Sequence, residues 1–287
     1  MTNSHEPIGL ERLLSLLEFR DNDAAAFSAG LDELTPEDIT VIEDHYAALS
    51  ANVGRVEQRT NPVDGEAVEH PVGIDFPLLV ALVRVAAQVQ AELVRRGVDE
   101  DVAWHSVADL GQQVHIHRLV HGVFGFGGRP WVPVNFSGSM LWLGRLQYTL
   151  EPDPWSLGVH IPETGPLTPE VVDESLELAR TIAVAAYGEF PIERFTCYSW
   201  LLDRGLSARL NPESNMAKFA ARFTPFGKAE PGNRDALYFG FHRETRGGEE
   251  VDLPTLPQNS SLQRAVVSQL RGGGVTIQPG WFPLHAD

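Results

Sequence analysis

The chain has 287 residues, 43% hydrophobic and 21% charged, with a formal net charge of −17. That length holds one large domain or two ordinary ones, and the apolar content is enough for a buried core, which excludes global disorder. The acidic balance excludes nucleic acid as a partner, and it would repel an anionic membrane or an acidic carrier protein unless arginines cluster locally.

Cys197 is the single cysteine, so there is no internal disulfide and no cysteine-rich zinc site. The opening residues MTNSHEPIGLERLL lack a basic patch followed by an apolar core. Neither a signal peptide nor a transit peptide is expected, and the cytoplasm is the expected compartment. The apolar run 76–89 is interrupted by Arg84 and is too short for a bilayer, so no membrane span is expected.

The first 125 residues read as helical. Leu10, Leu13, Leu14 and Leu17 follow one helix face. Thr35-Pro36-Glu37-Asp38 is a helix start, with Ile39, Ile42, Tyr46 and Leu49 on the buried side. The polar stretch 57–70 reads as a loop. Pro77 opens a third helix with the stripe Leu78, Leu82, Val85, Val89 and Leu93, ended by Gly97. Asp99 caps a fourth, predicted to run unbroken to about His121. In it His117 and His121 share a face while His115 points away, and no Glu completes an HExxH signature. That spacing does not support a metal site. Residues 122–139 are rich in Gly, Pro and aromatics and read as a flexible junction between domains. The GFGG at 125–128 lacks the GK[ST] ending of a phosphate loop.

From Met140 the period becomes two. Leu141, Leu143, Arg145, Gln147 and Thr149 lie on one strand face, which places Arg145 mid-strand in need of an anionic partner. A second strand covers 156–161. Thr168-Pro169-Glu170 caps a helix to Tyr187, closed by Gly188. Strands are predicted over 195–202, 236–243 and 275–282, and helices over 211–223 and 260–271. Strands alternate with helices, which indicates a layered domain.

Four segments carry a resemblance: LGRLQY (143–148), GVHIPETGPLTPE (158–170), FTCYSWLLD (195–203) and NPESNMAKFAARF (211–223). In this order they resemble a bacterial acyltransferase family with a helical N-acyltransferase N-terminal domain and a GNAT-like C-terminal domain. The resemblance implies an α+β chain with a helical domain over 1–135 and a GNAT-like α/β domain with a mixed central sheet over 136–287. The His121-Gly122 pair resembles a feature of the family before its junction.

The resemblance further implies an N-acyltransferase that moves an acyl group from an acyl thioester to an amine acceptor. The donor would be acyl-CoA or an acyl-phosphopantetheine on an acyl carrier protein, with no permanently bound cofactor and no metal. The pantetheine arm would lie between two splayed parallel strands, 156–161 and 195–202, and bond to their edges. The helix after the first of them would aim its N-terminus at phosphate. The phosphate loop would be 162–168, with Gly165, Leu167 and Thr168 at the donor. A GNAT loop carries an Arg or Gln and two spaced glycines, whereas this one has one glycine and a carboxylate, Glu163. A single carrier phosphate suits that loop, and Arg145 is then the expected phosphate anchor.

His160 stands at the end of the donor strand. A neutral imidazole there suits the base that amine attack on a thioester requires. Tyr198 is a candidate acid for the departing thiolate, and Cys197 a candidate acyl nucleophile. Ser199 and Asn215 are candidate donor contacts, Asn215 equally a cap. Taken one at a time, each of these residues also fits a packed strand or turn position. Two other functions use the same layers: a non-catalytic binding or accessory protein, and a decarboxylase of acyl-carrier substrates using His160 as an acid.

Overall fold

A computed structural model describes residues 8–245, 249 and 251–285. The chain divides into two compact units, Met1–Met140 and Leu141–Asp287.

In the first unit α1 is Leu10–Leu16, α2 Asp21–Gly30, α3 Pro36–Asn52, α4 Phe76–Arg95, α5 Glu100–Val107, α6 Asp109–His121 and α7 Val132–Asn135. The capping box on α3 is closed by Thr35 Oγ1, which accepts from Asp38 N at 3.2 Å, while Asp38 Oδ2 accepts from Thr35 N at 2.9 Å. Helix α2, with its run of alanines, has no strong apolar period and escaped the sequence reading. The predicted fourth helix is two, broken at Ala108. Helix α4 buries Leu79, Val80, Ala81 and Val83 as well as its predicted stripe. It is long and apolar enough to cross a membrane by length and composition, and most of it is buried inside the unit, as in a core helix.

The junction segment is not loose. Arg129 donates from Nη2 to Asp75 Oδ1 at 2.6 Å and from Nε to Asp75 Oδ2 at 2.8 Å, both residues being buried, and Phe126 N donates to Ile74 O at 3.0 Å. A buried guanidinium is tolerable only with such a bidentate partner.

The second unit is built on one mixed sheet. Its strands are β1 (Met140–Leu143), β2 (Leu146–Glu151), β3 (Ser156–His160), β4 (Arg194–Ser199), β5 (Thr224–Pro225), β6 (Glu230–Pro231) and β7 (Thr276–Pro283). The order is β1-β2-β3-β4-β7-β5, with β6 also on β7. Strand β2 pairs antiparallel with β3, β3 parallel with β4, and β4 antiparallel with β7. A parallel neighbour needs a crossover. Here it is α8 (Pro169–Leu178), continued through a π-turn at Ala179–Ala183 into α9 (Val184–Ala186).

Ser175 on α8 fastens that crossover to the sheet. Its hydroxyl donates to Leu143 O at 2.5 Å and accepts from Leu146 N at 3.2 Å. With its one proton placed on Leu143, it accepts from the Tyr148 hydroxyl at 2.9 Å. Burial pushes the Tyr148 hydroxyl above the ordinary phenol range, so it stays neutral.

The remaining helices are α10 (Arg204–Ser207), α11 (Asn215–Ala220), α12 (Asn233–Phe241) and α13 (Ser261–Gly272). Of the elements predicted after β3, three differ. The strand expected over 236–243 is helix α12. Its alternating aromatics suggested period two, yet the buried residues are Ala236 and Leu237, with Phe241 packed beside them and Phe239 exposed, which is a helical face. The strand expected over 195–202 ends at Ser199 and turns into a 3-10 helix, Trp200–Leu202. The helix expected over 211–223 contracts to α11, because Asn211 Oδ1 accepts from Glu213 N in a turn ahead of it and Ser214 caps the helix only at Asn215.

Candidate active site

The β3–β4 ladder consists of Leu157 opposite Phe195 and Gly158 opposite Thr196. Beyond it the two parallel strands part. Val159 and His160 continue to pair with Tyr148 and Gln147 of β2, while Cys197, Tyr198 and Ser199 pair with Gly280, Pro279 and Gln278 of β7. Two edges of main-chain groups thus face each other across a wedge that opens toward the C-terminal ends of both strands. An extended pantetheine arm, which carries amides of its own, can bond to such edges as an added strand would.

Alternation sorts the side chains around the wedge. Leu157, Val159, Phe195, Cys197 and Ser199 share the face that carries Tyr148 and α8. Gly158, His160, Thr196 and Tyr198 share the other, with Gln147, Thr149 and Glu151 of β2. His160 and Tyr198, the predicted base and acid, are therefore brought to one face, one on each lip. Tyr198 is 64% exposed and meets Phe226 edge to face at 5.8 Å between centroids. His160 is half-buried, and its Nε2 lies 2.8 Å from Thr149 Oγ1, whose proton goes to Glu151 Oε1 at 2.5 Å.

Cys197 is on the opposite face and is 2% exposed. Burial with no compensating charge pushes its thiol up to about 12. A nucleophile must be a thiolate, so the expected role of Cys197 as an acyl carrier is overturned and the residue is a core side chain.

The loop 162–168 links β3 to α8, as the phosphate loop should, but Arg145 plays a different part in it. Gly144 and Arg145 form the turn of the β1–β2 hairpin, so Arg145 is not mid-strand. Its guanidinium donates from Nη1 to Pro162 O at 2.8 Å, from Nη2 to Gly165 O at 2.7 Å and from Nε to Pro166 O at 3.1 Å. Partial burial in this contact lowers its pKa from the ordinary guanidinium value. The expected phosphate anchor is instead a clamp on the loop's own backbone. A guanidinium fork satisfies several carbonyls at once, and no acidic partner is required.

Gly165 has φ of +122°, a conformation closed to other residues at low cost. Leu167 is buried. Thr168 occupies the N-cap position of α8 without capping through its side chain. Its hydroxyl and the Glu170 main-chain N–H bond the Glu170 carboxylate and hold it below the usual carboxylate range. Glu163 does not stand bare: His242, just past the end of α12, lies with Nε2 at 2.9 and 3.0 Å from its two carboxylate oxygens. A carboxylate only accepts, so that nitrogen carries the proton. Ser199 Oγ accepts from Leu201 N at 3.1 Å and caps the 3-10 turn. Asn215 is the exposed first residue of α11, whose cap is Ser214.

Three residues at this site went unrecognised in the sequence: Thr149, Glu151 and His242. Polar residues at 147, 149 and 151 on a strand of otherwise buried apolar residues were a signal for the first two. Nothing near His242 pointed to Glu163. Among the described residues no group of three or more His, Cys, Asp or Glu is placed to hold a metal ion.

A mixed sheet with a parted parallel pair, a crossover helix behind a Gly-containing loop, and imidazole and phenol on the wedge's lips define a GNAT-type acyltransferase. Residues 9–138 match the N-acyltransferase N-terminal domain, and residues 140–282 the GNAT-like C-terminal domain. No curated protein matches the sequence. Among solved structures, an acyltransferase in complex with CoA and 10C-teicoplanin is 30% identical, covering 98% of this chain and 90% of that one at a TM-score of 0.84. An acyltransferase in complex with decanoyl-CoA and teicoplanin matches with the same figures. One in complex with decanoyl-CoA is 26% identical at the same coverage and TM-score. The chain belongs to this family of N-acyltransferases with an N-acyltransferase N-terminal domain and a GNAT-like C-terminal domain. It is an acyltransferase that moves an acyl group from an acyl thioester to an amine, and neither the accessory nor the decarboxylase alternative is supported.

Proposed function

We propose that the donor is a medium-chain acyl-CoA and the acceptor an amine on a glycopeptide. The observation that carries the reading is the parting of β3 and β4 after Gly158–Thr196, with His160 at its lip. The relatives in complex with decanoyl-CoA and teicoplanin support the substrate classes. A free thioester donor is favoured over a carrier-bound one because Glu163 is partnered by His242 rather than left as a bare negative wall.

The pantetheine arm lies in the wedge with its thioester carbon near His160. The neutral amine attacks that carbon, a C–N bond forms and the C–S bond breaks. The proton lost by nitrogen goes to His160, and the departing thiolate takes one from the Tyr198 hydroxyl, which His160 reprotonates through solvent. A histidine needs no large perturbation to act near neutral pH. Both residues lie on one face, so base and acid address the reacting centre from the same side.

The test is incubation with decanoyl-CoA and deacylated teicoplanin, followed by mass spectrometry of the acceptor. One added decanoyl group is expected, with His160→Ala slower by about a hundredfold or more and donor KM little changed. Transfer from a decanoyl carrier protein with none from the CoA thioester would overturn the donor assignment. An unaltered rate in His160→Ala would overturn the base.

A further inference from the structure

We propose that Thr149 and Glu151 are positioning residues for His160, and that their hydrogen bonds make Nδ1 the nitrogen that takes the amine's proton. This rests on the reading of His160 as the base.

The tautomer follows from counting protons. The Thr149 hydroxyl has one proton and donates it to Glu151 Oε1 at 2.5 Å. Toward His160 Nε2, at 2.8 Å, the same oxygen can only accept. Nε2 therefore carries a hydrogen, and in a neutral imidazole the lone pair is then on Nδ1. When Nδ1 takes a proton the ring becomes cationic with both nitrogens as donors. The Nε2–H bond to Thr149 is retained. No further proton needs to move.

The strand register shows that this arrangement is built rather than incidental. The residue opposite His160 is Gln147, while Thr149 is opposite Gly158 and Glu151 opposite Ser156. The imidazole passes over its direct partner to reach Thr149 on the diagonal, and Glu151 leans back along its own strand to meet the same hydroxyl. Both contacts cross the space above Gly158. A Cβ there would lie 2.6 Å from Thr149 Oγ1 and 3.0 Å from Glu151 Cγ. Gly158 has no positive φ that would call for glycine, so the missing side chain serves as room for the relay. Thr149 is fully buried, so water does not substitute for its hydroxyl.

The test is steady-state kinetics with decanoyl-CoA and deacylated teicoplanin, alongside 15N spectra of histidine-labelled enzyme. Thr149→Val, nearly isosteric, should lower kcat by about tenfold or more with donor KM within about twofold, and Thr149→Ser should restore most of the loss. Glu151→Gln, at a half-exposed position, should lower kcat by a smaller factor and does not depend on the valine variant folding. The wild-type spectrum should show His160 as the Nε2–H tautomer, lost in Thr149→Val. A wild-type Nδ1–H tautomer, or unchanged kcat in Thr149→Val or Glu151→Gln, would overturn the proposal. If His160→Ala is inactive while Thr149→Val turns over normally, the relay alone is wrong. If His160→Ala is active, the base assignment fails first and the relay with it.

Discussion

Arg145 reaches twenty residues along the chain to place its Nη2 2.7 Å from the carbonyl oxygen of Gly165. Pro162 and Pro166 carbonyls accept from the same guanidinium, so one side chain determines the path of the loop between β3 and α8. The carbonyls turn toward the arginine, and this fixes which loop groups remain for a donor.

Arg145→Lys keeps the charge but not the fork. A lysine meets one or two of these carbonyls, and the loop should loosen. Donor KM is expected to rise by about tenfold, equivalent to about 1.4 kcal/mol, with kcat changed far less. Faster amide exchange over residues 162–168 should accompany it. If KM stayed at the wild-type value while exchange rose, the clamp would have no bearing on the donor.

Cys197 should be chemically silent. With its thiol at about 12, roughly one molecule in 10⁴ is a thiolate at pH 8. Iodoacetamide at that pH should label the native enzyme far more slowly than the urea-unfolded one. Cys197→Ala should keep turnover within about twofold and cost about 1–2 kcal/mol of stability for the small void. An acyl group found covalently on Cys197 during turnover would refute this.

These residues mark what the sequence could convey. The parallel strands and their crossover were legible because period-two runs, a Thr-Pro helix start and a Gly stop are local signals. The parting of the strands followed only from the family resemblance, since register is a relation between segments. Arg145 was misplaced for a local reason: Gly144 turns the chain there, and the apolar residues on both sides hid that turn. Helix α12 was misread because an aromatic run satisfies two periods at once, and packing decides between them. The Thr149–His160 and Glu163–His242 contacts join residues 11 and 79 positions apart, and side-chain pairs of that kind leave no trace in spacing.

His117 gives the first unit a defined acid response. Burial, then the neighbouring His121 and Arg118, lower its pKa to about 4, against smaller opposing effects from Asp23 and Asp75. The folded value lies below the unfolded one, so the unfolded chain binds the proton more readily. The contribution is complete above about pH 6.5 and is lost as pH falls toward 4. Melting temperature should therefore drop across that window, and less steeply in His117→Gln. Equal slopes in both proteins would assign the acid response to other groups.

The Glu163–His242 pair makes a prediction that separates the nucleotide from the rest of the donor. The imidazole holds the Glu163 carboxylate by N–H donation at 2.9–3.0 Å, at the mouth of the loop that should meet the donor's phosphates. His242→Ala removes that donor and leaves the carboxylate to repel an anionic ligand. KM for decanoyl-CoA should rise several-fold, about 1 kcal/mol for a partly exposed charge, and the rise should shrink at high salt. Glu163→Gln on top of His242→Ala should cancel it. Decanoyl-pantetheine, with the same thioester and no phosphates, should respond to neither change. If decanoyl-pantetheine lost affinity equally, the pair would be supporting the loop's shape rather than shielding a charge. If Glu163→Gln failed to cancel the loss for CoA, the nucleotide would lie elsewhere, because removing a repelling carboxylate must help any phosphate within a Debye length of it.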